Sequence, residues 1–327
     1  MRLGTSMNKA VFIVPYFGKL PYYFDLWMHT ASRLNRFDFI IITDDICESV
    51  SDNIRIKHMC FEDFVKETQK RFDFPIGLTT PRKLCDFKPT YGYLLEDEIK
   101  DYSYWGYCDI DVVLGNLDDL IPLDMGYRKM FVHGHMTLLE NSEYMNKLFM
   151  KPVPGFCSYE SVLSKPENVI FDEASDGLNI NRIAYEYGVN TLIDYKMADI
   201  NPYSFLFKRS LYDYSIPNKS GREIKNEGIE RQIFLWENGR LDRYSLSIDG
   251  QMSIEPMRYL HFQKRILKID ENAYRSNRFL IVPNRVFPFY ENVDNHTITT
   301  YAKDTIIYPH YYKLKWQNLK KKIRKMV

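Results

Sequence analysis

Two aspartates, Asp109 and Asp111, lie one residue apart within the apolar stretch YWGYCDIDVVLGNL, residues 104–117. A buried carboxylate without a partner costs several kcal/mol, so something should compensate this charge. A metal ion, a phosphorylated ligand or a solvated turn would each do so. Residues i and i+2 of an extended segment point to the same side, and hard cations prefer carboxylate oxygens. Because this is the single D-x-D in the sequence, the spacing favours a metal site that could bridge to a pyrophosphate.

The residues before this stretch alternate between strand and helix patterns. Residues 9–17 and 37–45 are short, continuous apolar runs typical of buried strands, and residues 24–34 between them have an apolar face with helical spacing. A strand, a helix and a strand within about 35 residues predict parallel pairing. Further segments continue this pattern: a strand at 53–59, a helix at 61–72, a helical region at 79–102 interrupted by Pro89, and strands at 104–114 and 129–135.

The pattern changes after about residue 195. Residues 231–248 predict two strands joined by a turn at Asn238-Gly239, and residues 257–265 and 277–289 are further short strands. We therefore predict an α/β fold with a Rossmann-like parallel or mixed central sheet flanked by helices, followed by a small antiparallel part.

Composition excludes several classes of protein. The hydrophobic share is 45% and the formal net charge is +1, so neither disorder nor a nucleic-acid-binding surface is expected. The five cysteines lack metal-site spacing, which favours a reducing, cytoplasmic environment. No apolar run reaches the ~18 residues of a membrane span. The chain could start at either Met1 or Met7, so residues 1–6 could be an alternative start.

The last residues differ from the rest of the chain. Residues 313–325 contain seven basic and no acidic side chains. Trp316, Leu319, Ile323 and Met326 lie on one predicted helical face. This pattern is typical of an interfacial helix, so we expect residues 313–327 to contact an anionic membrane surface as a basic amphipathic helix.

The strand ends supply the remaining candidates. Ligands of open α/β sheets bind beyond the carboxyl ends of the strands, where Tyr16, Asp44 and Asp45 follow the first two predicted strands. The longer block PRKLCDFKPTYGYLLEDEIKDYSYWGYCDIDVVLGNL, with the later RYLHFQKR, resembles bacterial glycosyltransferases from capsule and lipopolysaccharide gene clusters, which have the GT-A fold. The resemblance covers most of residues 8–270 and is most specific over 81–120.

This resemblance implies a single GT-A-like domain with a donor-binding half at 7–125, an acceptor-binding half at 126–300 and a tail at 301–327. It implies a nucleotide-sugar donor, a UDP-sugar being favoured, and Mn²⁺ or Mg²⁺ bound by the D-x-D acids and a late histidine. The implied metal ligands are Asp109, Asp111 and His261. The implied donor-binding residues are Tyr16, Asp44, Asp45, Lys83, Asp86, Lys88, Asp109, Lys264 and Arg265.

An inverting transferase also needs a base for the acceptor hydroxyl, usually a carboxylate. Asp172 and Glu173 end another apolar run and are our candidates, while His133 and His135 are candidates for an acceptor-binding wall. The acceptor would be a glycan or a lipid-linked saccharide at the inner face of the cell membrane.

Two other functions fit parts of the pattern. YCDIDVVL also fits the nucleophile strand of haloacid-dehalogenase-type phosphatases, in which the first aspartate attacks phosphorus. That motif normally opens its fold, whereas this one follows about 100 residues. A protein without enzymatic activity that binds carbohydrate through calcium is the second alternative.

Overall fold

The computed structural model describes residues 9–201, 204, 206–213, 221–226, 231–263, 265–302, 312–313, 315–316 and 319–320. The strands are β1 Ala10–Tyr16, β2 Phe37–Thr43, β3 Ile54–His58, β4 Tyr104–Cys108, β5 Val112–Leu114, β6 Lys129–His133, β7 Met136–Glu140, β8 Thr191–Leu192, β9 Met197–Ile200, β10 Phe207–Asp213, β11 Gly221–Asn226, β12 Arg231–Glu237, β13 Arg240–Leu246, β14 Met252–Met257, β15 Tyr259–His261, β16 Lys268–Ile269, β17 Arg278–Val282 and β18 Arg285–Pro288.

The helices lie mostly in the first 190 residues. The α-helices are α1 Phe24–Ala31, α2 Phe61–Gln69, α3 Leu84–Phe87, α4 Tyr91–Leu94, α5 Glu96–Ile99, α6 Leu117–Leu120, α7 Glu143–Asn146, α8 Tyr159–Leu163, α9 Ile180–Glu186 and α10 Asn295–Tyr301. Short 3₁₀ helices are Pro81–Lys83, Lys88–Thr90, Leu148–Met150 and Glu271–Tyr274.

The first sheet has the order β3-β2-β1-β4-β7-β6-β8. Its β1, β2, β3 and β4 pair in parallel, whereas β7 is antiparallel to both neighbours. Alternate residues of β1 enter two hydrophobic clusters: Phe12 packs with Trp27 of α1, and Ile13 packs with Phe87 of α3. The sheet is thus covered by helices on both faces, which explains why its strands are continuous apolar runs.

The sequence indicated one strand over residues 104–114, but the structure divides this stretch into β4 and β5. β4 belongs to the first sheet, but β5 belongs to a second sheet, where it pairs with β15. Asp109 and Asp111 occupy the crossing: the Asp109 amide donates to His135 O and the Phe262 amide donates to Asp111 O. The chain changes sheets here, so both carboxylates leave the strand ladders at one edge.

The C-terminal part is an antiparallel sheet with one parallel edge strand, in the order β14-β13-β12-β17-β18-β16. The predicted turn at Asn238-Gly239 joins β12 to β13, with φ of 49° and 89° at its two residues. The mixed α/β class and the antiparallel C-terminal part are therefore confirmed. Among the described residues, no helix is long and apolar enough to cross a bilayer. Most of the predicted tail helix lies outside the described residues.

Candidate functional site

Asp109, Asp111 and His261 converge where β4, β5 and β15 meet. One ligand atom from each lies within 4.8 Å of the others, and all three side chains are partly exposed. His261 Nε2 is 3.2 Å from Asp111 Oδ1. Two carboxylates and an imidazole are a donor set that a divalent cation accepts, and Mn²⁺ tolerates the nitrogen ligand. The residues present therefore fit the expected Mn²⁺ or Mg²⁺, which these three side chains would bind.

The imidazole of His261 is held from behind by Asp199. His261 of β15 lies beside Asp199 of β9 in the parallel register, and Nδ1 is 2.8 Å from the carboxylate. Asp199 is fully buried. Burial alone would lower the pKa of His261, but the charges of Asp111 and Asp199 outweigh it and raise the pKa well above its ordinary value. A carboxylate on Nδ1 leaves Nε2 facing Asp111, the arrangement typical of metal-binding histidines.

The ammonium of Lys88 joins the D-x-D to the candidate base. It lies 2.6 Å from Asp109 Oδ1 and 3.1 Å from Asp172 Oδ2, and it donates to Gly134 O at 2.8 Å. Burial would lower the pKa of Lys88, but Asp109 and Asp172 raise it well above its ordinary value. The site thus holds a permanent cation next to its two acids.

Asp172 and Glu173 lie close behind Gly134. A Cβ atom on Gly134 would come within 2.6 Å of Asp172 Oδ2, so a larger residue would displace this carboxylate. Burial raises the pKa of Asp172 to about 7, although the Lys88 ammonium acts in the opposite direction. Glu173 is less buried, and its carboxylate accepts from the Gly134 amide at 3.4 Å.

A cavity of about 360 Å³ opens onto the D-x-D acids. Tyr16, Tyr23 and Arg82 line it together with Lys88 and Asp109. This volume falls within the ~300–1,000 Å³ of small-molecule sites. Burial and the charge of Asp111 raise the pKa of Tyr16 and of Tyr23, so both hydroxyls stay protonated and can donate hydrogen bonds at neutral pH.

Lys83 and Asp86, by contrast, have no solvent exposure and form an ion pair of 2.8 Å. Lys83 also donates to Val162 O and Glu167 O. The Asp86 carboxylate accepts from the amides of Val169 and Phe171. The structure gives this pair a role in fixing residues 162–171, and neither side chain reaches the cavity.

Asp44 and Asp45 hold the loop after β1. Asp44 Oδ1 accepts from the Gly18 amide at 2.7 Å, and Asp45 Oδ2 accepts from the Leu20 amide at 2.8 Å. The hydrogen bond from Leu20 is the main reason that the pKa of Asp45 is lowered. These acids shape the loop that carries Tyr23 and do not line the cavity.

His133 and His135 are buried behind the candidate metal ligands. The ring of His135 stacks between those of His133 and His261, at 4.8 and 4.4 Å, and its Nδ1 is 2.8 Å from the Tyr259 hydroxyl. With exposures of 1% and 7%, their side chains present little surface to an acceptor. His135 instead belongs with Asp199 and His261 to a second group of possible metal ligands.

Arg265 is also buried and takes a structural position. Its guanidinium donates to the carbonyls of Asn201, Ser204 and Pro283 and to the Asn284 side chain. It therefore links the turn between β17 and β18 to the segment after β9, and it does not line the cavity. Lys264 lies outside the described residues.

Three residues of the site were missed by the sequence analysis. Asp199, in the segment MADI, is one of the 43 acidic residues of the sequence, and only the β9–β15 register places it behind His261. Tyr23 and Arg82 had better signals, since Tyr23 follows Pro21 after the first strand and Arg82 precedes Lys83 in the PRKLCDFKP block.

The profile of a family of unknown function, DUF6625, matches residues 12–290, so the chain belongs to this family. No curated protein matched significantly. Two structures of the glycosyltransferase GlyE from Streptococcus pneumoniae TIGR4, one in the apo form, are 14% identical with TM-scores of 0.28 and 0.30. The matches cover 57% of this chain and 45% of GlyE, so this chain spans less than half of GlyE. TM-scores this low do not establish a shared fold.

Proposed function

We propose that this protein is a metal-dependent glycosyltransferase that moves a sugar from a nucleotide-sugar donor to a saccharide acceptor. One observation carries the proposal: Asp109 and Asp111 line a cavity of about 360 Å³ together with Lys88 and Tyr16, and His261 converges with the two acids. Carboxylates and an imidazole beside a cation are the groups that a metal-bound diphosphate requires.

Each side chain has a defined task in this proposal. When bound, Mn²⁺ or Mg²⁺ would neutralise the diphosphate of the donor and ease departure of the nucleotide. Asp109, Asp111 and His261 would bind the ion, and Asp199 orients the imidazole. Lys88 adds a positive charge beside Asp109, where negative charge develops on the leaving group.

The base comes from the Asp172–Glu173 pair. A pKa near 7 suits a general base, and Glu173 is the more exposed of the two carboxylates. Asp172→Asn and Glu173→Gln separate the roles, because the base must be deprotonated to act, so the variant whose residual kcat no longer falls at acidic pH identifies the base.

The donor nucleotide is proposed to be UDP, and the acceptor a glycan or lipid-linked saccharide of a surface polysaccharide. We also propose that residues 313–327 bind anionic membrane at its inner face. Equal binding of the full and the truncated chain to anionic vesicles would refute this anchor.

The first experiment is a thermal-shift panel of UDP, GDP and their sugars, each with and without Mn²⁺. A ligand at about 100 times its Kd adds about 2.7 kcal/mol, which raises the melting temperature of a chain this size by at least ~2 °C. We expect a shift with metal only, and its loss in Asp111→Asn. Asp119→Asn is the control, because Asp119 is an exposed acid near the site in sequence.

An unchanged shift in Asp111→Asn would refute the metal assignment. A covalent phosphate on Asp109 would instead identify the phosphatase. A response to calcium and glycans without any nucleotide response would identify the carbohydrate-binding protein.

A further inference from the structure

A second, larger cleft lies on the other side of the loop formed by residues 17–23. Phe17 and Tyr23 of this loop line the smaller cavity, whereas Leu20 and Tyr22 line the larger cleft, of about 1500 Å³. The rings of Tyr22 and Tyr23 are 5.1 Å apart. The two spaces therefore share one wall.

Three tyrosines line this cleft, and each is fixed at its hydroxyl. Tyr22 accepts from the Leu267 amide at 2.9 Å, Tyr274 donates to Tyr22 O at 3.0 Å, and Tyr290 bonds Ser276 Oγ at 3.2 Å. The rings stay accessible, since Tyr22 is 51% and Tyr290 74% exposed. Aromatic rings held in place bind with little loss of side-chain entropy.

The charged residues that line this cleft indicate which class of ligand it can bind. The charged lining residues are four acids and two arginines: Asp25, Asp45, Glu48, Glu271, Arg33 and Arg275. This acidic excess disfavours polyanions such as nucleic acids and anionic lipids. Sugar rings present apolar C–H faces to aromatic rings and hydroxyls to carboxylates and guanidinium groups.

The size of the cleft indicates an extended ligand. Sites for small molecules measure about 300–1,000 Å³, so this cleft exceeds what one nucleotide sugar requires. We propose that it binds an uncharged oligosaccharide. This inference rests on the proposed transferase function, in which the oligosaccharide is the acceptor chain. The shared loop places that chain next to the donor cavity.

The test is calorimetric titration with uncharged hexasaccharides, namely maltohexaose, cellohexaose, laminarihexaose and chitohexaose, and with the matching monosaccharides. We expect at least one hexasaccharide to bind about tenfold more tightly than its monosaccharide. Tyr290→Ala should weaken that binding by about tenfold, the effect of losing one aromatic anchor. Tyr290→Phe keeps the ring and should bind normally.

Tyr185→Ala is the matched control, because Tyr185 is 55% exposed on α9 and does not line the cleft. Absence of hexasaccharide binding, or equal binding by Tyr290→Ala and wild type, overturns the proposal. The UDP and Mn²⁺ thermal shift separates the two claims. If it persists while no saccharide binds, the cleft assignment fails and the transferase stands. If saccharide binds without any nucleotide response, the transferase and the acceptor role both fail.

Discussion

Lys83 and Lys88 lie five residues apart in one helical region, and each pairs with aspartate, yet their surroundings differ. Lys83 and Asp86 are closed off from solvent, and backbone groups take up their remaining hydrogen bonds. Lys88 is shared by two carboxylates, and Asp109 is 35% exposed beside a cavity. A buried, fully satisfied pair fixes structure, whereas a pair with an open side can exchange partners when a ligand arrives.

The largest effect is expected at the closed pair. Asp86→Ala removes the charge that compensates the buried Lys83 and the acceptor of the Val169 and Phe171 amides, so the free energy of unfolding should fall by about 3–5 kcal/mol. Urea denaturation measures this loss. Asp63→Ala is the control, because Asp63 and Lys66 have the same i,i+3 spacing on the surface, and its unfolding midpoint should stay near wild type. Equal midpoints for the two variants would contradict a structural role for Asp86.

A third buried lysine, Lys129, shows how burial affects the lysine pKa when no carboxylate pairs with the ammonium in the described part of the chain. Lys129 has no exposure, and in the described part of the chain its ammonium bonds to neutral acceptors, Phe131 O and Asn181 Oδ1. Burial lowers the pKa of Lys129 to about 7. Between that value and the ordinary value of about 10.4, the unfolded chain binds more protons than the folded protein. The stability contributed at this site therefore rises with pH through this window.

Lys129→Met should remove this dependence. The free energy of unfolding of the variant minus that of wild type should be largest at pH 7 and below. Because the wild type gains stability as pH rises, this difference should shrink by about 2–3 kcal/mol between pH 7 and pH 9. Urea titrations at both pH values measure the difference. Lys147→Met replaces an exposed lysine and should follow the wild-type slope. Parallel curves for Lys129→Met and wild type would show that Lys129 titrates normally.

The smallest effect is expected behind the metal site. Asp199→Asn can still accept a hydrogen bond from His261 but loses the charge, so Mn²⁺ affinity should fall about 10- to 100-fold while the fold persists. Electron paramagnetic resonance of free Mn²⁺ measures the affinity, with Asp119→Asn as the control for loss of an acidic charge. Unaltered affinity in Asp199→Asn would limit this residue to a packing role.

The solvent-accessible site around Lys88 and Asp109 was more predictable from the sequence than the buried Lys83–Asp86 pair. Asp109 and Asp111 stand out because two carboxylates interrupt an apolar run, and Lys88 follows from the CDFKP block. The same block offered Lys83 and Asp86 as donor residues, which their complete burial argues against. The acceptor-binding role of His133 and His135 stays a prediction, but both side chains are buried, and His135 stacks on His261 of β15.

The sequence by itself determined the local elements: apolar runs set β1, β2 and β4, helical spacing set α1 and α2, and Asn238-Gly239 set the turn between β12 and β13. These signals lie within a few residues of one another, so local sterics and burial suffice to specify them. Only the tertiary structure decided that the chain changes sheets at Asp109–Asp111, that Asp199 supports His261, and that Lys88 joins Asp109 to Asp172. Those contacts join residues 21 to 151 positions apart, and which of the many acids meets which base depends on how the sheets pack.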